Sequence, residues 1–162
     1  YARCAGVPPA VSVIAELQPD DDWASAWLRA QGLRPGEYVV VHPGSGAARK
    51  NWLGFEALLQ RWRGEFDDLP VVTVYGPAEI DRAPLPGGVC LRQPSLPGLA
   101  GLLARARFYV GNDSGVSHLA GALSTPGLAL FDGSDPAVWA PRGDTVAVLR
   151  GAACGNCPPD RF

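Results

Sequence analysis

Apolar positions along the chain follow two alternating patterns. Short runs of β-forming residues stand at Tyr38-Val39-Val40-Val41-His42, Val71-Val72-Thr73-Val74-Tyr75, Val89-Cys90-Leu91, Phe108-Tyr109-Val110, Leu128-Ala129-Leu130-Phe131 and Val146-Ala147-Val148-Leu149. Between them the spacing changes to the helical i, i+3, i+4, i+7 stripe. Phe55, Leu58, Leu59 and Trp62 form one such stripe, and Val116, Leu119, Ala120 and Leu123 another. Leu99, Leu102 and Leu103 mark a helix between them, starting near Ser95 or Pro97. The strands are apolar on both faces, as strands covered by helices on both sides must be. Strand and helix patterns in alternation predict a parallel sheet, and right-handed crossovers make it a doubly wound α/β layer.

Ahead of this repeating part the pattern predicts a helix over roughly Asp22–Gln31, with Trp23, Trp27 and Leu28 on one face. Asp20 or Asp21 caps it and Gly32 stops it. Residues 1–36 therefore read as an interdomain linker and helix, and residues 37–162 as the domain itself. The chain begins Tyr1-Ala2-Arg3-Cys4 and contains no Met, which reads as a segment of something longer or a trimmed product.

Composition narrows the class. A chain of 162 residues is one domain's worth, and 47% hydrophobic against 19% charged residues excludes a disordered polyelectrolyte. With 14 Lys+Arg against 16 Asp+Glu, the net charge of -2 lacks the dense positive field that nucleic-acid or membrane-surface binding needs. No apolar run approaches the ~20 residues of a membrane span, and no signal-peptide pattern opens the chain. The cysteines at 4, 90, 154 and 157 are too few for a disulfide scaffold in a chain of this size. Cys154-Gly155-Asn156-Cys157 has zinc-knuckle or redox spacing, but His42 and His118 are far away in sequence and Pro158-Pro159 disfavours a helix there. The pair reads as plain thiols or as half of a motif completed beyond Phe162. No metal site is expected.

In open parallel sheets, ligands bind beyond the carboxyl ends of the strands. After the first strand, His42-Pro43-Gly44-Ser45-Gly46 leads through Arg49 to Lys50, a glycine-rich turn able to aim amides at a phosphate. It fits neither the Walker A spacing nor the dinucleotide fingerprint, in which Arg49 stands where the third glycine belongs. The plain alternative is an ordinary turn with Arg49 and Lys50 in solvent. After the second strand, Gly76-Pro77-Ala78-Glu79 sets a carboxylate where ribose hydroxyls could reach it; otherwise Glu79 is a first-turn glutamate favoured by the helix dipole. After the fourth strand, Gly111-Asn112-Asp113-Ser114-Gly115-Val116-Ser117-His118 opens a helix whose amides make an anion site. Asp113 or Ser114 is positioned to cap it, and Asp113 suits sugar hydroxyls better than phosphate, whose charge it repels. Ser114 and His118 share a face away from the apolar stripe; the bland reading is a capped helix with a surface histidine. After the fifth strand, Asp132-Gly133-Ser134-Asp135-Pro136 is turn-rich, with Trp139 and Arg142 beyond it, read as packing and solvated residues.

Taken in order, these segments resemble the C-terminal half of the ADP-heptose:lipopolysaccharide heptosyltransferases, glycosyltransferase family 9. The resemblance runs over residues ~38–143 and rests on His42 to Gly46 with Lys50-Asn51-Trp52, Tyr75 to Glu79, Gly111 to Leu119, and Asp135-Pro136 with Trp139 to Gly143. Cys154 and Cys157 look like the start of a cysteine cluster near the end of many members. The resemblance implies a Rossmann-like nucleotide-sugar-binding domain, the C-terminal half of a two-domain GT-B glycosyltransferase whose N-terminal acceptor domain is absent here. It implies an inverting, metal-independent, cofactor-free enzyme of bacterial lipopolysaccharide core or related glycan synthesis. Its donor would be ADP-heptose or a close relative, and its glycolipid acceptor would bind through the missing domain, which also supplies the general base.

By position, Lys50 would neutralise the diphosphate, with Ser45 and Gly46 as its loop partners. Glu79 would hold the ribose, and the backbone near Pro94 would edge the nucleobase. Asp113 would contact the donor sugar, Ser114 and Gly115 would present amides to the phosphates, and His118 would support that turn. Lys50 and Asp113 are thus the candidate catalytic residues. This fragment alone is expected to be inactive, and the full-length protein to be cytoplasmic, with the inner membrane surface as a further expectation. The alternatives are a non-catalytic nucleotide or nucleotide-sugar binding module, a structural domain of an assembly, and another GT-B enzyme such as a nucleotide-sugar epimerase.

Overall fold

The structure, a computed structural model, describes residues 18–65 and 69–151. Cys4, Cys154 and Cys157 lie outside the described residues. Six strands form one sheet: β1 (Val39–His42), β2 (Val71–Tyr75), β3 (Val89–Arg92), β4 (Phe108–Asn112), β5 (Gly127–Phe131) and β6 (Val146–Arg150). Their order is β3-β2-β1-β4-β5-β6 and every pairing is parallel. This is the doubly wound Rossmann order, in which the chain reverses its direction of travel between β1 and β4.

The alternation along β1 shows why both faces are apolar. Val39 and Val41 point to one face and pack with Phe55 and Leu59 of α2 (Phe55–Glu65). Val40 points to the other, into the core made with α1 (Asp21–Ala30), α3 (Leu96–Ala104) and α4 (Gly115–Ala122). Tyr38, Leu102, Leu103 and Tyr109 fill that second core and are fully buried. The predicted strands match the observed ones within two residues at every end. The short helix α5 (Pro136–Trp139) and the 3₁₀ turns at Ala48–Lys50 and Pro77–Glu79 carry no periodic signal, being too short to show one.

The first helix starts where its capping residue dictates. The Asp20 carboxylate accepts the Trp23 N–H at 2.9 Å, and Gly32 at φ +69° ends the run. Ala24 and Leu28 are buried against α3, so α1 is seated on the sheet's helical layer. Trp23 and Trp27 stack at 6.3 Å along the same contact. Among the described residues, no helix is long and apolar enough to cross a membrane.

The α1–α3 contact is close enough to forbid a methyl group. A Cβ on Gly101 would stand 2.6 Å from the Asp20 carbonyl oxygen and 2.8 Å from Ala24 Cβ. Helix propensity favours Ala over Gly by ~1 kcal/mol, whereas overpacking costs about 1–3 kcal/mol. Gly101→Ala is therefore expected to lower stability despite its better propensity, read as a reduced urea midpoint; a raised midpoint would mean that α1 yields freely.

Candidate functional site

Parallel pairing sets the carboxyl ends of all six strands along one edge. The loops after β1 and β4 come from neighbouring strands at the reversal point, where sheets of this order form their ligand crevice. Into it run His42-Pro43-Gly44-Ser45-Gly46 from one side and Asp113-Ser114-Gly115 from the other.

The β1 loop is shaped from within. The buried Ser45 hydroxyl lies 2.7 Å from both the Ala47 carbonyl oxygen and Asn51 Oδ1. One hydroxyl proton serves only one acceptor, so the second contact needs the Asn51 amide turned to donate. The Ser45 side chain is thus engaged in closing the loop, and the loop's exposed backbone is what remains outward. Gly46 is exposed, and a Cβ there would meet nothing within 4 Å. Asn112 ties this loop to β4: its Nδ2 donates to the Pro43 carbonyl at 2.9 Å, and its Oδ1 accepts the Trp52 N–H at 3.0 Å.

Across the crevice stands an ion pair. Lys50 Nζ lies 2.8 Å from Asp113 Oδ2, with the lysine side chain 23% and the carboxylate 6% exposed. The Ser134 hydroxyl donates to the same carboxylate oxygen from the loop after β5. Burial alone would raise the Asp113 pKa. The hydrogen bonds from Lys50 and Ser134, and the charges of Lys50 and His118, outweigh it and hold the carboxyl below its ordinary value. Sequence reasoning offered Asp113 or Ser114 as a side-chain cap for α4. Neither side chain caps it: Ser114 occupies the N-cap position without a side-chain bond, and Asp113 turns to the lysine. Gly115, exposed and with open space around it, begins a helix whose first turn is left available to an anion. His118 is exposed one turn further on.

Glu79 reaches the edge from the turn after β2. The residue is 8% exposed; its carboxylate accepts the Gly76 N–H at 2.9 Å and lies so close to Gly44 that a Cβ there would fall 2.3 Å from Oε1. An open cleft of ≈ 410 Å³ separates this turn from the β1 loop, lined by Ser45, Gly46, Asn51, Leu53, Glu79 and Arg82 among others. His42 is buried beneath it with Nδ1 3.0 Å from the Val74 carbonyl. Burial lowers its pKa, against the Val74 carbonyl and the Glu79 charge, so the neutral ring donates Nδ1–H to that carbonyl. Pro94 follows β3, further along the same edge, beyond Gln93 at φ +46°. Lys50, Asp113, Ser114 and Gly115 are thus brought together, Ser45, Gly46 and Glu79 flank the adjoining cleft, and Pro94 stands two strands away from β1.

The residues that sequence reasoning passed over are Asn51, Arg82, Arg92, Asn112 and Ser134. Asn112 lay inside a singled-out motif, and an amide beside Asp113 was the signal available. The Ser134 contact joins positions 21 residues apart and had none. Among the described residues, no three His, Cys, Asp or Glu side chains group as a metal site.

Comparison with known proteins adds three findings. Residues 89–160 match the family model of glycosyltransferase family 9 (heptosyltransferase). The fold is similar to E. coli heptosyltransferase WaaC solved with ADP, at TM-score 0.66 and 26% identity, over 92% of this chain and 47% of that one. It is similar to E. coli ADP-heptose LPS heptosyltransferase II at TM-score 0.68 and 21% identity, over 88% and 47% of the two chains. A UDP-GlcNAc 2-epimerase from Methanocaldococcus jannaschii shares the fold at TM-score 0.56 and 10% identity, over 81% and 39% of the two chains. No curated protein matches. The chain spans about half the length of the heptosyltransferases it resembles.

The ion pair has a pH signature. A carboxyl whose pKa is depressed on folding contributes stability that is complete above its ordinary value, 3.8, and lost as pH falls through the lowered one. The urea-midpoint gap between wild type and Asp113→Asn is expected to be fully open above about pH 5 and to close in acid. A gap independent of pH would mean that the pair adds nothing.

Proposed function

We propose, from the match of residues 89–160 to glycosyltransferase family 9 and from the likeness of the fold to heptosyltransferases, that the chain is the donor-binding domain of an inverting, metal-independent glycosyltransferase. The donor is ADP-heptose or a close relative, and the product belongs to lipopolysaccharide core or a related glycan. Residues 1–36 are then the lead-in from an acceptor-binding domain, with residues 37–162 as the donor domain. The full-length enzyme works in the cytoplasm at the inner membrane, where a glycolipid acceptor lies.

The observation that carries this reading is the Lys50 ammonium, 2.8 Å from Asp113 Oδ2 and 3.5 Å from the carbonyl oxygen of the same residue, beside the uncapped first turn of α4. A nucleoside diphosphate is the ligand that such a pairing of one cation and several amides suits. Glu79 accepts hydrogen bonds from the ribose across the cleft, and the backbone near Pro94 edges the base. Asp113 is the sugar's partner: its carboxylate is desolvated, acceptor-only, and already oriented by Ser134. E. coli WaaC has also been solved with ADP-2-deoxy-2-fluoro heptose, and the 26% identity of that chain to this one supports a nucleotide-sugar of the same class here.

In the transfer, a carboxylate of the acceptor domain takes the proton of the acceptor hydroxyl. That oxygen forms its bond to the anomeric carbon from the face opposite the diphosphate, the anomeric C–O bond breaks, and ADP departs with the electron pair. Negative charge grows on the departing phosphate, where Lys50 and the α4 amides lower its energy without a metal ion. A change of anomeric configuration between donor and product tests the inverting step, and mass analysis of the product separates transfer from epimerisation.

Two substitutions should move ADP affinity in opposite directions, read by calorimetry. Lys50→Ala removes the ammonium and is expected to weaken ADP at least about tenfold. Asp113→Asn removes the carboxylate that competes for the same ammonium and is expected to tighten ADP by about threefold, while weakening the ADP-sugar relative to ADP. An unchanged dissociation constant in Lys50→Ala would take Lys50 out of the site.

A further inference from the structure

Arg92 is the last residue of β3, an edge strand, and it takes no part in the donor contacts assigned to Lys50, Glu79 and Asp113. Its guanidinium lies over the Tyr75 ring, 4.8 Å from the centroid. From there Nη1 donates to the carbonyl oxygens of Glu79 at 3.3 Å and Ile80 at 2.9 Å, and Nη2 donates to that of Arg82 at 2.7 Å. These three carbonyls, on the last residue of the 3₁₀ turn and just after it, make a set of acceptors that a planar fork of donors fits better than a point charge does. Tyr75, the platform, is itself fixed, since its hydroxyl accepts the Leu85 N–H at 2.8 Å. The same turn is pinned on its other side, where Arg82 Nη1 donates to the Pro43 carbonyl at 2.8 Å. Pro43 in turn accepts Asn112 Nδ2, so the pinning continues to the residue beside Asp113.

Neither arginine binds the Glu79 carboxylate, whose protein donor is the Gly76 amide. Both act on backbone. The carboxylate is therefore held in place without being neutralised, and keeps its acceptor capacity for a ligand.

We propose that Arg92 is a positioning residue that latches the turn after β2, fixing the Glu79 carboxylate against Gly44 for the hydroxyls of a ribose. The ribose half of this statement rests on the proposed role of Glu79; the latch does not. Loosening the turn lets Glu79 leave its place, whereas Pro43 keeps its bond from Asn112, so the Lys50 side of the crevice, which Arg92 does not touch, stays as it is. The effect should therefore fall on the ribose alone.

The test uses the full-length protein with Arg92→Gln, Arg92→Lys, Glu79→Gln and the Arg92→Gln/Glu79→Gln double variant. Calorimetry is run with ADP, 2′,3′-dideoxy-ADP and inorganic pyrophosphate. Arg92→Gln is expected to weaken ADP by about fivefold, as losing one partly exposed charged contact does, and to leave dideoxy-ADP and pyrophosphate unchanged. Arg92→Lys should restore part of the loss, and Arg92→Gln should cost nothing more when Glu79→Gln is already present. Without ligand, hydrogen exchange at the Gly76 amide should quicken about tenfold in Arg92→Gln. Equal losses for ADP and pyrophosphate, a full further loss in the double variant, or unchanged Gly76 exchange would each overturn the proposal. Wild-type protein that binds ADP and dideoxy-ADP equally would instead retire the ribose reading, and the Gly76 exchange would still decide the latch.

Discussion

One ion pair spans the point where the sheet reverses its order. Lys50 comes from the connection after β1 and Asp113 from the end of β4, and the two meet at 2.8 Å with the carboxylate nearly out of solvent. Burying a carboxylate is costly unless a cation and further hydrogen bonds meet it, and Lys50 and Ser134 do so here. The fold supplies the geometry. Adjacent parallel strands whose chains leave in opposite directions create the crevice, and the pair occupies it. An anion entering the crevice has one ammonium to engage, and must share it with Asp113 or displace that carboxylate. The protein's proposed preference for a sugar-bearing donor comes from this competition, because hydroxyls that engage Asp113 leave the ammonium to the phosphates.

Around the pair, the loops are held by side chains that bond to backbone. Ser45 closes the β1 loop, Asn112 ties it to β4, and Arg82 ties it to the turn after β2. Such bonds fix where amides and carbonyls point, and of the three side chains only Arg82 brings a charge. A surface built in this way is preorganised for a ligand that brings its own charge. Below it, Tyr109 is fully buried and its phenol pKa is pushed up to about 12 by burial, with the neighbouring Ser117 hydroxyl acting against the rise. The Ser117 hydroxyl donates to the Asn112 carbonyl, so Tyr109 donates to Ser117, and both of these hydroxyls are satisfied.

The sheet was legible in the sequence because its signals are local. Val71–Tyr75 is a run of β-forming residues, bounded by Pro70 and Gly76, and the strand occupies those five residues. Asp20 and Gly32 bracket the first helix as chemistry requires. Three positions of the candidate site were legible as loop residues beyond strand ends: Lys50, Glu79 and Asp113. Their partners were not. Which of Asp113 and Ser114 would cap α4 depended on a lysine 63 residues earlier in the chain, and the lysine won. Glu79 read as a first-turn glutamate favoured by the helix dipole or as a ribose ligand; its burial against Gly44 follows from the approach of two loops, which no local pattern encodes. Arg92 carried no motif, and its role becomes visible only once the turn after β2 is folded beneath it.

The central claim is that a diphosphate is held between Lys50 and the first turn of α4. A crystal structure of the full-length protein with ADP tests it most directly. Phosphate oxygens are expected within hydrogen-bond reach of Lys50 Nζ and of the Ser114–Gly115 amides, with the Lys50–Asp113 contact lengthened beyond its present 2.8 Å. ADP bound elsewhere, with that contact intact and the α4 amides open to solvent, would contradict it.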